Sequence, residues 1–520
     1  MRGRLGWGSV RSVRRAALIL AIALVAAAIP AATAHGGVGA LSYKGCISGE
    51  LSDFDACTEI ASTTPSGIAS GLNAVESVTV SPDSKWVYAV ARQDDSIARL
   101  KRDRHSGKLT YKGCVTGNSD VSACAAIPTA TSSGTASGLD DVRALIISRD
   151  GEWGYAAVAG DDAIARFKRD PDDGKLAFRD CVTGSSDSGA SGSGACAEFP
   201  NATAGGADSG LDHPKSLVLA GTSLYAAATN DAAIARFSRN PNNGLVTYLG
   251  CVTGETQSGP AGSGACDAVD AAGSQGDESG LDDARNLALA RGGRELVGVS
   301  SDDDALFIFD RDRDTGALSF DSCLSGEAAT AATACDGVNA TPDGVNSGFD
   351  DLRSVAVSRD GRSLYVVSRF DAAITLLPLK AGAPRCLSAD EATAGGSFCH
   401  PIGVPAAGAA QTGFDAPESV LVSRDGKSVY VSSANDAAVT RFKRNGTTGR
   451  LTHRGCITGE VESGPTPEGS GACAAIPSAT TNGFDSGLEF PQFMAMSPDD
   501  GSLYAAIGND DAVAAFKRAK

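Results

Sequence analysis

Short hydrophobic runs separated by turns rich in Gly and Asp recur along this chain. Residues 142–184 show one unit of the pattern, with four β-type runs at 144–148, 153–159, 163–168 and 176–182. The turns between them read Ser-Arg-Asp-Gly, Gly-Asp-Asp and Asp-Pro-Asp-Asp-Gly, which are typical of tight connections between strands. Four short strands joined in this way are typical of one blade of a β-propeller.

The same unit returns seven times, with a period of about 68 residues. A fixed period of this length indicates a propeller or another repeat array, and a solenoid is the alternative. Seven innermost strands can be counted. The sequence therefore predicts an all-β fold, a seven-bladed β-propeller of four-stranded blades.

The two ends of the repeat region complement each other. Residues 41–49 read as a fourth strand without its blade, and residues 512–517 read as a third strand without a successor. We expect the N-terminal strand to complete the last blade, which closes the ring and removes exposed sheet edges. A solenoid gives no reason for this offset.

Residues 1–34 are typical of an export signal. Five arginines precede an apolar run over residues 16–29, and Ala-Thr-Ala at 32–34 resembles a cleavage site. No other segment is long and apolar enough to suggest a membrane span. We therefore expect residues 35–520 to form a single propeller domain that is secreted, or at least extracytoplasmic, at the exterior of a bacterial cell.

Composition narrows the class of partner. The chain carries a formal net charge of −17, and removal of the five signal arginines makes it more negative. Such a chain should repel nucleic acid and anionic membranes. The 63 glycines and 6% aromatic residues suit short strands and many turns. We expect a monomer with few aromatic anchors for a protein partner.

Fourteen cysteines occur as two per module, which in an exported chain predicts one disulfide within each module. The pairs lack CxxC spacing and have almost no histidine nearby, so no metal and no other cofactor is predicted. The predicted pairs are Cys46 with Cys57, Cys114 with Cys124, Cys181 with Cys196, Cys251 with Cys266, Cys323 with Cys335, Cys386 with Cys399 and Cys456 with Cys473.

Seven equivalent residues precede the predicted innermost strands and should meet at one mouth of the central channel. Four are cationic and two are anionic, and such a cluster favours a carboxylate, phosphate or lactone oxygen. They are Glu76, Arg143, Lys215, Arg285, Arg353, Glu418 and Gln492. The alternative is that the cations only pair with neighbouring aspartates, namely Asp140, Asp212, Asp282, Asp350 and Asp415.

The sequence gives weaker support for two other kinds of site, a calcium site and a catalytic histidine. Acidic pairs such as Asp94-Asp95 could bind calcium, but Asp or Asn recurs at these turns in every blade, which indicates turn capping. Among five histidines, His213 alone lies near the predicted mouth, where it could act as a general acid or base. The candidate catalytic residues are thus His213, Arg143 and Arg353.

Ser-Arg-Asp-Gly-Arg-Ser-Leu-Tyr-Val-Val-Ser at 358–368, followed by Asp-Ala-Ala-Ile, resembles the lactonase-like seven-bladed propellers. That family includes 6-phosphogluconolactonase-like proteins and carboxymuconate cyclases. The resemblance implies the propeller fold over the mature chain and, in enzymatic members, Arg, Glu and His acting on a lactone or carboxylate near the channel. The histidine-rich phrase of that family is missing here, and His213-Pro214 is what remains.

Two functions follow from these observations. The first is a non-enzymatic extracellular binding module that takes a small anionic molecule, a glycan or another extracellular partner. The second is a lactone hydrolase or lactonising enzyme that acts at the channel mouth. The small polar loops and the lack of a diagnostic catalytic motif favour the binding module.

Overall fold

The computed structural model describes residues 37–51, 56–192, 194–262, 264, 266–379, 382–464, 471 and 473–520. The segment predicted to be an export signal lies outside the described residues. Within them the chain is almost entirely β, with two short α-helices, α1 at Ala328–Thr333 and α2 at Glu391–Ala394, and four short 3-10 turns. No helix among the described residues is long and apolar enough to span a bilayer.

Seven sheets of five strands each form the blades, which confirms the predicted seven-bladed propeller. In blades 1 to 6 the strands follow chain order from the axis outward. Blade 1 comprises β3 (Val75–Val80), β4 (Trp86–Ala91), β5 (Ser96–Arg102), β6 (Leu109–Asn118) and β7 (Ala125–Thr131). Blade 2 comprises β8 (Val142–Ile147), β9 (Trp153–Val158), β10 (Ala163–Arg169), β11 (Leu176–Ser185) and β12 (Ala197–Thr203).

The next four blades repeat this plan. Blade 3 comprises β13 (Pro214–Ala220), β14 (Ser223–Ala228), β15 (Ala233–Arg239), β16 (Val246–Glu255) and β17 (Asp267–Gly273). Blade 4 comprises β18 (Ala284–Ala290), β19 (Glu295–Ser300), β20 (Ala305–Arg311), β21 (Leu318–Glu327) and β22 (Asp336–Thr341). Blade 5 comprises β23 (Leu352–Val357), β24 (Ser363–Ser368), β25 (Ala373–Pro378), β26 (Arg385–Asp390) and β27 (Cys399–Ala406). Blade 6 comprises β28 (Pro417–Val422), β29 (Ser428–Ser433), β30 (Ala438–Arg444), β31 (Leu451–Glu460) and β32 (Ala474–Thr480).

Blade 7 joins the two ends of the described chain, as predicted. Its strands are β33 (Pro491–Met496), β34 (Ser502–Ile507) and β35 (Ala512–Arg518), followed by β1 (Leu41–Glu50) and β2 (Thr58–Thr64). Strand β1 pairs antiparallel with β35. Each innermost strand contacts the next, and β33 contacts β3, so the ring is closed.

The fifth strand is a difference from the four-stranded blades that the sequence predicts. In every blade it pairs parallel with the fourth strand at the outer edge, as β7 does with β6. Its sequence gives little strand signal, because β7 buries only Ile127 and leaves its other residues exposed or half-buried. It also contains Pro128, which an edge strand tolerates because its outward side needs no N–H donor.

The core lies between blades. The second strand of every blade is buried at all six positions, because both faces of the sheet are covered by neighbouring blades. One cluster joins Trp86 and Tyr88 of blade 1 to Phe167 of blade 2. Burial on both faces explains why these strands are continuous apolar runs rather than alternating ones.

All seven predicted disulfides are present, and no described cysteine is free. Six link the fourth strand to the residue just before the fifth, and in blade 5 Cys399 is the first residue of the fifth strand itself. Gly138, with a φ of +86°, packs on the Cys181–Cys196 bridge, and a Cβ there would lie 2.5 Å from the sulfur of Cys181. The recurring Ser-Gly-Leu phrase is therefore explained by the packing of its glycine on the disulfide of the blade that the loop leads into. Seven such bridges are typical of an oxidising, extracytoplasmic environment.

A set of buried polar contacts, here called the clasp, joins neighbouring blades at the end of the strands remote from the channel mouth. In the clasp between blades 1 and 2, Arg169 donates from Nε to the Tyr88 hydroxyl at 2.8 Å and pairs with Asp83 at 2.9 Å. Tyr88 in turn donates to the carbonyl of Gly174 at 2.7 Å. Six blade interfaces have the Arg–Tyr bond, namely Arg102–Tyr504, Arg169–Tyr88, Arg239–Tyr155, Arg311–Tyr225, Arg444–Tyr365 and Arg518–Tyr430.

The interface between blades 4 and 5 differs from the other six. Val297 occupies the tyrosine position and Leu379 occupies the arginine position, so both clasp partners are replaced by apolar residues together. Both side chains join one apolar cluster. Replacement of both partners avoids a buried polar group without a partner, which would cost about 1–3 kcal/mol.

Candidate functional site

A cavity of about 660 Å³ lies at the channel mouth, where the innermost strands converge. It is lined by all seven residues that the sequence predicts there, each the second residue of its innermost strand: Glu76, Arg143, Lys215, Arg285, Arg353, Glu418 and Gln492. The structure brings these side chains together. Their binding role remains a prediction.

A backbone irregularity aims these side chains. In β8, Val142 pairs with Val158 and Ala144 pairs with the adjacent Ala157, which leaves Arg143 as the extra residue of a bulge. Bulges redirect side chains at the ends of strands. The residue before each innermost strand has a positive φ, from 50° at Asp141 to 56° at Phe490. The same local geometry thus recurs in each blade, although the side chains differ.

Arginines at the mouth pair with aspartates, but not with those named above. Arg143 pairs with Asp141 at 2.6 Å and Arg353 pairs with Asp351 at 2.5 Å, and Arg285 pairs with Asp283 in the same way. The predicted partners Asp140, Asp282 and Asp350 were therefore wrong by one residue. The left-handed turn carries the second aspartate of each pair toward the arginine two positions later.

Lys215 is the least satisfied cation among these seven residues. Its Nζ lies 4.0 Å from Asp283, and it has no side-chain hydrogen bond to any described residue. Burial, and next the charge of Arg285, lower the pKa of Lys215 to about 8. Burial disfavours the charged form of Asp283, but Arg285 and Lys215 outweigh it and lower its pKa. An added anion at this point would meet an incompletely neutralised positive charge.

His213, the candidate acid or base, does not line the cavity. Its Nε2 lies 3.4 Å from a terminal nitrogen of Arg143. Burial, followed by the charges of Arg143 and Lys215, lowers the pKa of His213 to about 4. The ring is therefore neutral at pH 7, and its Nε2 can accept a hydrogen bond from Arg143. A base this weak is poorly suited to activating water.

Two further cations line the cavity and were not found from the sequence. Arg92 and Arg369 occupy the turn between the second and third strands of blades 1 and 5. Arg369 pairs with Glu418 at 3.1 Å, and burial raises the pKa of Glu418. The Arg92 side chain has no hydrogen bond or ion pair to any described residue. The available signal was that other blades have small or neutral residues at this position, such as Ala159.

The turn aspartates have a structural role. Asp161 accepts hydrogen bonds from the backbone N–H groups of Gly138 and Asp140, at 2.7 and 3.0 Å. Asp162 accepts one from the N–H of His213, in the next blade, at 2.9 Å. These contacts fix the loops that lead into innermost strands, as the capping interpretation predicts.

One group of described acidic residues has the spacing of a metal site. Ligand atoms of Asp208, Asp231 and Glu255 lie within 4.8 Å of one another. Asp231, however, already accepts backbone hydrogen bonds from Asp208, Gly210 and Asp212, at 2.8, 2.6 and 3.0 Å. Since the equivalent aspartate makes the same contacts in the other blades, we assign Asp231 to loop capping.

The fold and the cavity define a β-propeller with a charged channel mouth. No protein-family profile and no curated protein sequence matches the chain. Similar solved structures include proposed 6-phosphogluconolactonases of Bacteroides uniformis (17% identity, 73% of this chain and 83% of that one, TM-score 0.45) and Bacteroides fragilis (14%, 81% and 86%, 0.48). Another is hydrazine synthase of Kuenenia stuttgartiensis (12%, 86% and 96%, 0.47). Two of these structures carry a description that agrees with the sequence resemblance, and the third carries an unrelated one.

Proposed function

We propose that this protein is an exported binding protein whose channel mouth holds a small carboxylate-bearing molecule, either free or at the end of a glycan. The carrying observation is that Arg143, Lys215, Arg285 and Arg353 come from four consecutive blades and line one cavity. These four residues form a continuous group of cations, here called the cationic arc.

The partial neutralisation of the arc supports binding of a small anion. Three aspartates pair with its arginines, which makes a cluster of half-buried cations tolerable in the free protein. Lys215 and Arg92, which also lines the cavity, remain without a carboxylate in hydrogen-bond range. A single carboxylate near Lys215 would thus gain charge-assisted hydrogen bonds while leaving the paired arginines in place.

The character of the cavity supports a sugar acid or similar molecule. Gln492, Asn73 and Asn509 add neutral polar groups to its lining, beside the charged arc. Amide groups both donate and accept, so they can bind hydroxyl groups of a ligand. The seven disulfides support export, because such bridges persist outside the cytoplasm.

Lactone hydrolysis is the second candidate, since His213 lies beside Arg143 at the arc. Two observations weigh against it. The pKa of His213 is lowered to about 4 by burial and by neighbouring cations, and its ring lies outside the cavity lining. A binding protein needs neither a base nor a water path, so it agrees better with this arrangement.

Titration calorimetry with acetate, gluconate, galacturonate and a lactone panel tests the proposal. We expect carboxylates to bind and Lys215→Met to weaken them at least about tenfold, as loss of a charge-assisted contact predicts. Lys85→Met, at an exposed turn remote from the mouth, is the matched control. Absence of binding by any carboxylate would contradict the proposal. Lactone turnover that is lost in Arg143→Ala would favour the enzyme instead.

A further inference from the structure

Blade 7 differs from the other blades at the third residue of its innermost strand. Phe493 occupies this position in blade 7 and lines the mouth cavity. None of its six equivalents is part of the cavity lining. They are small or polar, namely Ser77, Ala144, Ser216, Asn286, Ser354 and Ser419. One aromatic side chain therefore enters the mouth at a level where the other blades present small ones.

The backbone of β33 is altered at the same place. In the other six blades, pairing with the second strand resumes at the third residue, as at Ser216 with Ala227. In blade 7 it resumes one residue later, at Met494 with Ala505. The bulge is thus extended to include Phe493. Because bulges redirect side chains, this extension gives a local reason for its exposure to the cavity.

A second aromatic residue of blade 7 lines the cavity at an unfavourable conformation. Phe490 has a φ of +56°, a region that bulky residues rarely adopt. Asp, Ala or His occupies this position in the other blades. Strained residues concentrate at functional sites, because the surrounding structure must hold them in place.

A small residue makes room for this wall. Gly508 lines the cavity beside Gln492, and a Cβ at Gly508 would lie 2.5 Å from the Gln492 side-chain nitrogen. Arg92 and Arg369 occupy the equivalent position in blades 1 and 5. Blade 7 therefore presents three uncharged side chains, Phe490, Phe493 and Gln492, which we call the aromatic wall. Its carboxylates Glu50, Glu489 and Asp511 line the cavity beside this wall.

The order of blades sets the wall opposite the cationic arc. In a closed ring of seven blades, blades 3 and 4 face blade 7 across the axis, so Lys215 and Arg285 face Phe493. The blades that flank blade 7 contribute Glu418 and Glu76. Arg92, in a turn of blade 1, is one cation on the near side, whereas the four cations of the arc lie in blades 2 to 5. An anionic group is therefore favoured most on the far side of the mouth, and an uncharged group is favoured against the wall.

We infer that the ligand is a carboxylate attached to a ring, with the carboxylate at Lys215 and Arg285 and a face of the ring against Phe490 and Phe493. This inference rests on the proposed function and adds the ligand class and a specificity-determining residue. Both an aryl carboxylate and a uronate sugar have this chemistry, since each combines a carboxylate with a face of C–H or π character.

Calorimetry with ring and open-chain carboxylates tests the inference on the full mature protein. Benzoate and galacturonate are the ring probes, and acetate and gluconate are the open-chain probes. We expect Phe493→Ser, which restores the residue of the sister blades, to weaken the ring probes about tenfold and the open-chain probes less than twofold, because only the ring probes have a face that packs on the aromatic side chain. Ser419→Ala, in the adjacent blade, is the matched control and should change neither.

The outcomes separate this inference from the proposed function. One outcome would overturn the aromatic wall and leave the proposed function intact. In this outcome Phe493→Ser and Phe490→Ala both keep the preference for ring probes, while Lys215→Met still weakens the binding of every carboxylate. If Lys215→Met binds every carboxylate as tightly as the unsubstituted protein does, both the aromatic wall and the proposed function are overturned. If Phe493→Ser does not fold, Phe493→Leu and Phe490→Ala decide, with a loss of ring preference expected in each. Tighter binding of galacturonate identifies a sugar acid, and tighter binding of benzoate identifies an aryl acid.

Discussion

The two ends of the strands use charged residues in opposite ways. At the clasp end, six of seven interfaces repeat an arginine, a tyrosine hydroxyl and a glycine carbonyl with nearly constant geometry. At the channel mouth, the seven equivalent positions hold four residue types. Repetition at one end serves blade packing, which is the same task in every blade. Variation at the other end agrees with the proposed role of the mouth as a binding site, whose parts differ around the ring.

The degree of satisfaction also differs between the two ends. Arg169 in the clasp is 1% exposed and bonded to a hydroxyl, a carboxylate and a backbone carbonyl. Lys215 at the mouth is 21% exposed and reaches a carboxylate only at 4.0 Å. A fully bonded buried charge supports the fold, whereas an incompletely bonded one leaves capacity for a ligand. This contrast leads to four predictions, ordered from the largest expected effect to the smallest.

Loss of a clasp should affect stability most. Arg169→Met leaves Asp83 and the Tyr88 hydroxyl without their partner, and we expect a destabilisation of about 3–5 kcal/mol, as for other broken buried pairs. Chemical denaturation measures it. Leu379→Met, at the equivalent position of the interface without a clasp, is the control and should cost less than about 1.5 kcal/mol. Equal effects of the two variants would show that the clasp adds nothing.

Removal of a disulfide should rank next. Replacing both Cys181 and Cys196, which are separated by 15 residues, with serine should destabilise the protein by about 3 kcal/mol, the entropy of a loop of that length in the unfolded chain. Thermal unfolding without reductant measures the change. Affinity for carboxylates should stay the same, because the bridge lies outside the mouth lining. A change in carboxylate affinity without a change in stability would contradict the structural role assigned to this bridge.

Stability at the mouth should depend on alkaline pH. Burial and Arg285 lower the pKa of Lys215 to about 8 from an ordinary 10.5, so the unfolded chain binds the proton more tightly in this range. The free energy of unfolding should therefore rise between pH 8 and 10.5, by about 3 kcal/mol relative to Lys215→Met. Carboxylate affinity should fall over the same range, because Lys215 loses its charge. Parallel curves for the two proteins would contradict this prediction.

The smallest effect concerns His213. Its pKa is lowered to about 4 first by burial and then by Arg143, so Arg143→Ala should raise the pKa only part of the way toward 6.5. Proton NMR of the imidazole measures this pKa directly. We expect a stability change below about 1 kcal/mol, since Arg143 is partly exposed to the mouth. A pKa that stays near 4 would show that burial alone sets it.

The sequence was sufficient for contacts that its own repeat encodes. The blade number, ring closure, cysteine pairs and the seven mouth residues all followed from spacing, because residues at one position of a repeat share one environment. The clasp did not follow, although Tyr88 and Arg169 belong to strongly repeated phrases. Its partners come from different blades, and their proximity depends on how sheets pack rather than on chain order.

Other differences arise from backbone geometry. The aspartate partner of Arg143 was displaced by one residue, because a left-handed turn at Asp141 reverses which of two adjacent carboxylates faces the mouth. The fifth strand has a weak sequence signal, since an edge strand buries few side chains. In the sequence Phe493 resembles any other strand residue, because the extended bulge of β33 is visible only in the structure.

Ring closure also sets a time order for synthesis. Leu41 pairs with Arg518, so the first of the described strands to be made waits for the last of them. At about 5–20 residues per second, this wait is on the order of half a minute or more. During that interval β1 and β2 have no blade to join, while blades 1 to 6 can form in succession. The protein thus becomes a ring only when its final strand arrives, and a shortened product would keep two open edges that can pair with another chain.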